Sequence, residues 1–261
     1  STATQNVVVT DTTVPVIVAP ANQTFEATGI STTPTFIPAT ATDLVTASPV
    51  ITKDLSSFAV GIHTVTWKAT DTAGNFSTAT SQVTITDTTA PVIASHANVT
   101  EEATSASGVV VTYTAPNSTD LVDGVLPATC TLATGSTFPI GATTVTCTAS
   151  DSATPVNTAT PTTFTVTVVD TTAPVITAPA TVTQEATATL STFAIGTASA
   201  TDAVDASPVI ISDAPASFPV GTTVVTWTAT DATGNNSTAT QNVVVTDTTV
   251  PVIVAPANQT F

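Results

Sequence analysis

The chain has 261 residues and carries eighteen acids against two basic side chains, Lys53 and Lys68, for a net charge of −16 at pH 7. A phosphate backbone is held by basic side chains that displace its counterions, so this balance excludes nucleic acid as a partner. Threonine, roughly a quarter of the residues, breaks every Val/Ile/Ala run well short of the ~18 apolar residues a membrane helix needs, so this segment holds no membrane span.

Residues 1–25, STATQNVVVTDTTVPVIVAPANQTF, recur letter for letter at 237–261, leaving one 236-residue unit and a 25-residue overlap. Such an overlap reads as a window on a longer array, and internal repetition decides the architecture first. A smaller period is marked by Asp-Thr-Thr-(Val/Ala)-Pro at Asp11, Asp87, Asp170 and Asp247, spaced 76, 83 and 77 residues apart. Residues 1–10 then read as the last strand of a preceding module. Modules follow at 11–86, 87–169 and 170–246, and 247–261 begins another.

Within each module the order is the same. Glu-Ala-Thr comes early, at Glu26, Glu102 and Glu185; Phe-x-(Val/Ile)-Gly follows at Phe58, Phe138 and Phe218. A strand with period-two alternation comes next, placing Val65, Trp67 and Ala69 inward in the first module, Val145, Cys147 and Ala149 in the second, and Val225, Trp227 and Ala229 in the third, with threonines opposite. Asp71-Thr-Ala-Gly-Asn75 and Asp231-Ala-Thr-Gly-Asn235 then supply Gly-Asn, read as positive-φ positions of a hairpin leading to the last strand. Several short strands between Pro, Gly and Asp turns predict a β-sandwich in each module.

Taken as an ordered set, Asp-Thr-Thr-(Ala/Val)-Pro-Val-Ile, Glu-Ala-Thr, Thr-Asp-x-Val-Asp, Phe-Pro-(Val/Ile)-Gly-(Thr/Ala)-Thr and Thr-Ala-(Thr/Ser)-Asp resemble the hyalin repeat (HYR) family across essentially the whole chain. The resemblance implies immunoglobulin-like extracellular modules of adhesion or matrix proteins, without catalytic activity. The expected fold class is all-β, with tandem immunoglobulin-like β-sandwich modules arranged end to end. The first module departs from the pattern at Thr46, where the second aspartate would stand.

Cys130 and Cys147 lie on strands either side of the Phe138–Gly141 turn, and Cys147 takes the inward place of Trp67 and Trp227. With no Cys-x-x-Cys and no nearby histidine, they are expected to form a disulfide, adding about 3 kcal/mol for a loop this short and placing the chain outside a reducing cytosol.

In such a sandwich the start of the first strand, the loop after the second and the last hairpin meet at one pole. That pole gathers Asp87, Asp120, Asp123 and Asp151 in the second module, and Asp170, Asp202, Asp205 and Asp231 in the third. Two readings stand side by side: calcium ligands, since hard oxygens without basic partners suit that ion, or turn residues accepting backbone hydrogen bonds. For Asp11, Asp43 and Asp71 of the first module the turn reading is preferred. Glu26, Glu102 and Glu185, near the opposite pole, could complete a site at the following linker.

Glycan acceptors are read at Asn22, Asn75, Asn98, Asn117, Asn235, Asn236 and Asn258, each opening an Asn-x-Ser/Thr sequon. Sugars would also guard strand edges that lack charged side chains. An enzyme reading finds little: His63 and His96 have no Ser/Asp constellation around them, Glu101 and Glu102 point to opposite faces of a strand, and no glycine-rich phosphate loop occurs. The expected function is a structural repeat segment of an extracellular filament or cell-surface stalk, glycosylated and calcium-stiffened, with neighbouring repeats as its partners. The alternatives are ligand-binding adhesin modules, or a pilin-like subunit that donates residues 1–10 as a strand.

Overall fold

The computed structural model describes residues 1–257 and is built of strands, turns and extended segments, with no helix among them. No helix long and apolar enough to cross a membrane occurs among the described residues. The architecture is all-β, with β-sandwich modules in tandem along the chain. Two units are distinguished. One holds Ser1–Ala97, Thr114–Ala133 and Val145–Phe164; the other holds Asn98–Tyr113, Thr134–Thr144 and the chain from Thr165 on.

In the first unit, Gly61–Thr70 and Phe76–Thr86 form a long antiparallel hairpin paired from Gly61↔Ile85 to Thr70↔Phe76. Val50–Lys53 adds to one side of it antiparallel, and Gln23–Glu26 to the other side parallel, giving a four-stranded sheet. A second layer, Val16–Val18 paired with Thr40–Thr42, brings Ile17 and its neighbour Ala39 onto a core of Phe58, Val65, Trp67, Val83 and Ile85. The period-two pattern fixes this register, because slipping one residue would turn Val65, Trp67 and Ala69 to solvent. Phe36 meets Phe25, Phe58 and Trp67 edge-on, with centroids 5.7–5.8 Å apart, the geometry that ring quadrupoles favour. The Trp67 indole donates to Ser81 Oγ at 2.9 Å, so its one polar atom is not orphaned in the core.

The same unit contains Val92–Ile93, Asn117–Asp120 and Gly124–Pro127 as a three-stranded antiparallel sheet. Thr129–Cys130 pairs with the end of Gly141–Thr148, setting Cys130 directly opposite Cys147. The two are bonded, with Cα atoms 4.0 Å apart, and Cys147 is fully buried.

The second unit repeats the hairpin as Gly221–Thr230 with Asn236–Thr246, flanked by Val182–Glu185 in parallel and Val209–Ser212 antiparallel. Its core is Phe218, Val225, Trp227, Val243 and Val245. Here Trp227 donates to Gln241 Oε1 at 3.1 Å, and the buried Gln241 donates in turn to Ala180 O and Ile195 O, so a polar side chain sits inside with its hydrogen bonds made. This unit also holds Val109–Val111 paired with Ser136–Phe138, and Val99–Glu102 running parallel to Val166–Val169.

The hairpin turns differ from expectation in one detail. Gly74 and Gly234 take φ of 94° and 96°, whereas Asn75 and Asn235 keep negative φ. The asparagines serve the turn through their side chains instead.

Candidate functional site: acid poles and linker clamps

Three clusters of carboxylates assemble, each with oxygens within 4.8 Å of one another: Asp11, Asp43 and Asp71; Asp87, Asp120 and Asp123; Asp170, Asp202 and Asp231. Thr46 in place of an aspartate does not dissolve the first cluster, which is drawn together like the others. Within each cluster the members have distinct tasks.

Asp43, Asp120 and Asp202 use Oδ1 to accept from two backbone amides two and three residues ahead, at 2.7–2.9 Å, which folds the loop after the second-layer strand. Asp71, Asp151 and Asp231 cap the last hairpin. Each accepts from the backbone amide and the side-chain Nδ2 of one asparagine, Asn75, Asn157 or Asn235. That same Nδ2 donates at 3.1 Å to the carbonyl of Asp11, Asp87 or Asp170, tying hairpin to linker.

The second aspartate of Thr-Asp-x-Val-Asp is a latch. Asp123 accepts from Ser152 N and Oγ at 2.9 and 2.6 Å, and Asp205 accepts from Ala232 N at 2.9 Å. In the first repeat Thr46 Oγ1 does the same for Thr72 N at 3.2 Å, which explains why a hydroxyl replaces the carboxylate there without loss of the turn.

Asp11, Asp87 and Asp170 lie on the linkers and are not equally satisfied. Each Oδ1 accepts from the amide two residues on, Thr13, Thr89 or Thr172. The Thr233 hydroxyl lies 3.2 Å from Asp170 Oδ2 and 2.9 Å from Asp231 Oδ1 and shares its single hydrogen between them, whereas Asp11 Oδ2 and Asp87 Oδ2 are buried without a partner, as is Asp120 Oδ2. Burial pushes the Asp87 carboxyl above its ordinary range; the Thr89 amide works against this, and Asp120, Asp151 and Glu26 add to the rise.

The Glu-Ala-Thr glutamates grip the next linker. Glu26 accepts from Thr88 N, Thr88 Oγ1 and Thr89 Oγ1 at 2.7, 2.9 and 3.1 Å. Glu102 holds Thr171 and Thr172, and Glu185 holds Thr248 and Thr249, in the same three-bond pattern. In all three the threonine backbone amide leads in holding the carboxyl below its usual 4.5. The sequence placed these acids at the linkers but gave no sign that the Thr-Thr of the marker motif was their partner.

The sequons divide by environment. Asn75 and Asn235 commit Nδ2, the atom a glycan would occupy, to Asp71 or Asp231 and to the linker carbonyl. Asn22 and Asn98 are exposed and use only the carboxamide oxygen, accepting from Gln82 N and Thr165 N at 2.9 Å. Asn117 and Asn236 are exposed as well, and Asn258 lies outside the described residues. His63 rests on Ala59 O and His96 on Ala97 O and the Phe164 ring.

Tandem β-sandwich modules, a marker linker gripped by the module before it, and a disulfide define an extracellular adhesion-type repeat protein, found outside the cell or at its surface. The chain belongs to the HYR domain family, whose model matches residues 10–85, 86–168 and 169–245. It is 34% identical to Hyalin of Strongylocentrotus purpuratus over 275 residues, spanning 98% of this chain and 23% of that protein. Hyalin of Lytechinus variegatus is 34% identical over 212 residues, spanning 77% of this chain and 40% of its own length. The chain thus spans less than half the length of either relative. Among solved structures, human CDH23 EC21-23 gives a TM-score of 0.37 at 18% identity, covering 72% of this chain and 78% of that one. Protocadherin Gamma B7 extracellular cadherin domains 1-4 give 0.36 at 13% identity, covering 76% and 66%.

Proposed function

We propose that this chain is a structural segment of an extracellular filament or cell-surface stalk, without catalytic activity, whose modules run 11–86, 87–169 and 170–246 and whose surface carries glycans. The observation that carries this reading is the clamp: three glutamates at equivalent places hold three Thr-Thr linkers by the same bonds. A repeated grip on each connection restricts the connection, which a load-bearing array needs and a free-standing recognition module does not. Residues 7 and 9 add to it. They copy Val243 and Val245, which are 0% and 2% exposed inside a sheet, so residues 1–10 have the sequence of a last strand.

Strand donation to another subunit is less favoured, because the sheets containing Phe76–Thr86 and Asn236–Thr246 already hold their own last strand between two neighbours. An adhesin role would call for a module unlike the others, and the glutamate clamps are alike in all three. Calcium belongs to this reading as the ion the acid poles would take to stiffen the array.

Glycopeptide mass spectrometry of the native protein tests the surface part. Sugar is expected on Asn22, Asn98, Asn117 and Asn236, and not on Asn75 or Asn235, whose amide nitrogens are engaged. Occupied Asn75 and Asn235 with bare exposed sites would reverse that assignment.

A further inference from the structure

We infer that each repeat resists tension along the chain through one strand pair, its Glu-Ala-Thr strand and its last strand, which run parallel, are loaded in shear and are fastened by side chains at both ends. The inference goes beyond the stalk reading and rests on it only for the source of the tension.

The pair recurs in one register: Gln23–Glu26 beside Val83–Thr86, Val99–Glu102 beside Val166–Val169, and Val182–Glu185 beside Val243–Thr246. In each, the chain enters the repeat near the start of the first strand and leaves it from the end of the last. Tension therefore draws the two strands in opposite directions along their own length. The evenly spaced bonds of a parallel pair are then loaded together and fail together, whereas strands pulled apart from one end open rung by rung. The strand entered earlier is no rival, since Val16–Val18, Val92–Ile93 and Val175–Thr177 pair over only three, two and three residues. On the inner face Val83, Val166 and Val243 are fully buried, so a strained rung beside them is not readily traded for a bond to water.

Both ends of the pair are fastened. At the far end Ala27, Ala103 and Ala186 donate their amides to Thr86 O, Val169 O and Thr246 O at 2.7 Å, and the glutamate before each alanine carries the grip past the last strand to the Thr-Thr. At the near end Asn22 and Asn98 accept through Oδ1 from Gln82 N and Thr165 N at 2.9 Å. Thr181 stands at that place in the third repeat and has no carboxamide; there Gln241 reaches from the last strand and donates to Ala180 O at 2.9 Å. Side chains from opposite strands thus close the same end, which ties the fastening to the strand pair and not to one recurring residue.

Pulling the whole 261-residue chain by its two ends in an optical trap tests this, against the same chain pulled from Thr28 or from Thr187 to its end. Both threonines are exposed and follow the first strand of their pair, so a handle on Thr28→Cys or Thr187→Cys peels the pair from its glutamate end instead of shearing it. End-to-end pulling is expected to give three ruptures, one for each repeat, and the same three in both variants when they are held by their chain ends, which shows their folds intact. Forced unfolding reports the unfolding rate along the pulled direction, so moving the handle to Thr28 should lower one rupture force about twofold or more and leave the other two. A handle at Thr187 should leave a single rupture, lowered in the same way. Asn22→Ala with Glu26→Ala should weaken one of the three end-to-end ruptures. Equal forces from the chain start and from Thr28, or an unchanged set of ruptures in the double variant, would overturn the assignment. Every force is read on a single chain, so the shear pair and the stalk can fail separately.

Discussion

At Asp71, Asp151 and Asp231 both carboxylate oxygens are committed to an asparagine of the hairpin, whereas Asp87 and Asp120 each leave one oxygen buried without a donor. One residue type in one small cluster thus serves two ends, turn closure and uncompensated charge, and only the hydrogen-bond partners tell them apart. Cysteine shows a similar economy of position. Cys147 fills the inward site that Trp67 and Trp227 fill elsewhere, and its bond to Cys130 supplies by covalent means part of what an indole supplies by contact. Cys147→Ala is expected to destabilise its module by roughly 2–5 kcal/mol, seen as a lower denaturant midpoint. An unchanged midpoint would mean that the bridge adds nothing to the fold. Pairing of the two cysteines was legible in the sequence because both flank one turn and the inward alternation marks Cys147. The role of Thr46 was not, because a hydroxyl and a carboxylate accept the same amide hydrogen bond while looking unrelated as letters.

Among the elements, the long hairpins were the most legible. Strict alternation over Val65–Thr70 and Val225–Thr230 fixes which face is buried, and Asp-x-x-Gly-Asn marks the turn. The clamp was hidden, since it joins Glu26 to Thr88, residues 62 apart, and nothing local to either signals the other. Its pH behaviour follows from the depressed carboxyls of Glu102 and Glu185, led in each by the backbone amide of Thr171 or Thr248. A folded-state value below the ordinary 4.5 means that the stabilisation is present above that value and fades as pH falls through the lower folded one. Acidification below pH 4.5 should therefore loosen these linkers, measured as faster proteolysis at Thr171–Thr172 by an acid-active protease. Glu102→Gln should be cut readily at both neutral and acidic pH. Equal resistance of the variant and the parent would show that the glutamate does not hold the linker.

For the whole molecule, the repeated marker motif, the shared clamp and the identity of residues 1–25 with 237–261 describe a chain whose organisation repeats along its length. Tandem repeats were plain from the sequence because spacing and motif order survive inspection without any structure. The unpartnered oxygens of Asp11, Asp87 and Asp120 were not plain, since they depend on which donors the fold brings to each pole. The central claim is that one polypeptide runs through successive units, with residues 237–261 of one stretch serving as residues 1–25 of the next. Its most direct test is the mass of native filaments dissociated and denatured under reducing conditions. A covalent chain many times the 25.9 kDa of this segment is expected. A single discrete species near that mass would contradict it and would instead favour separate subunits joined by strand donation.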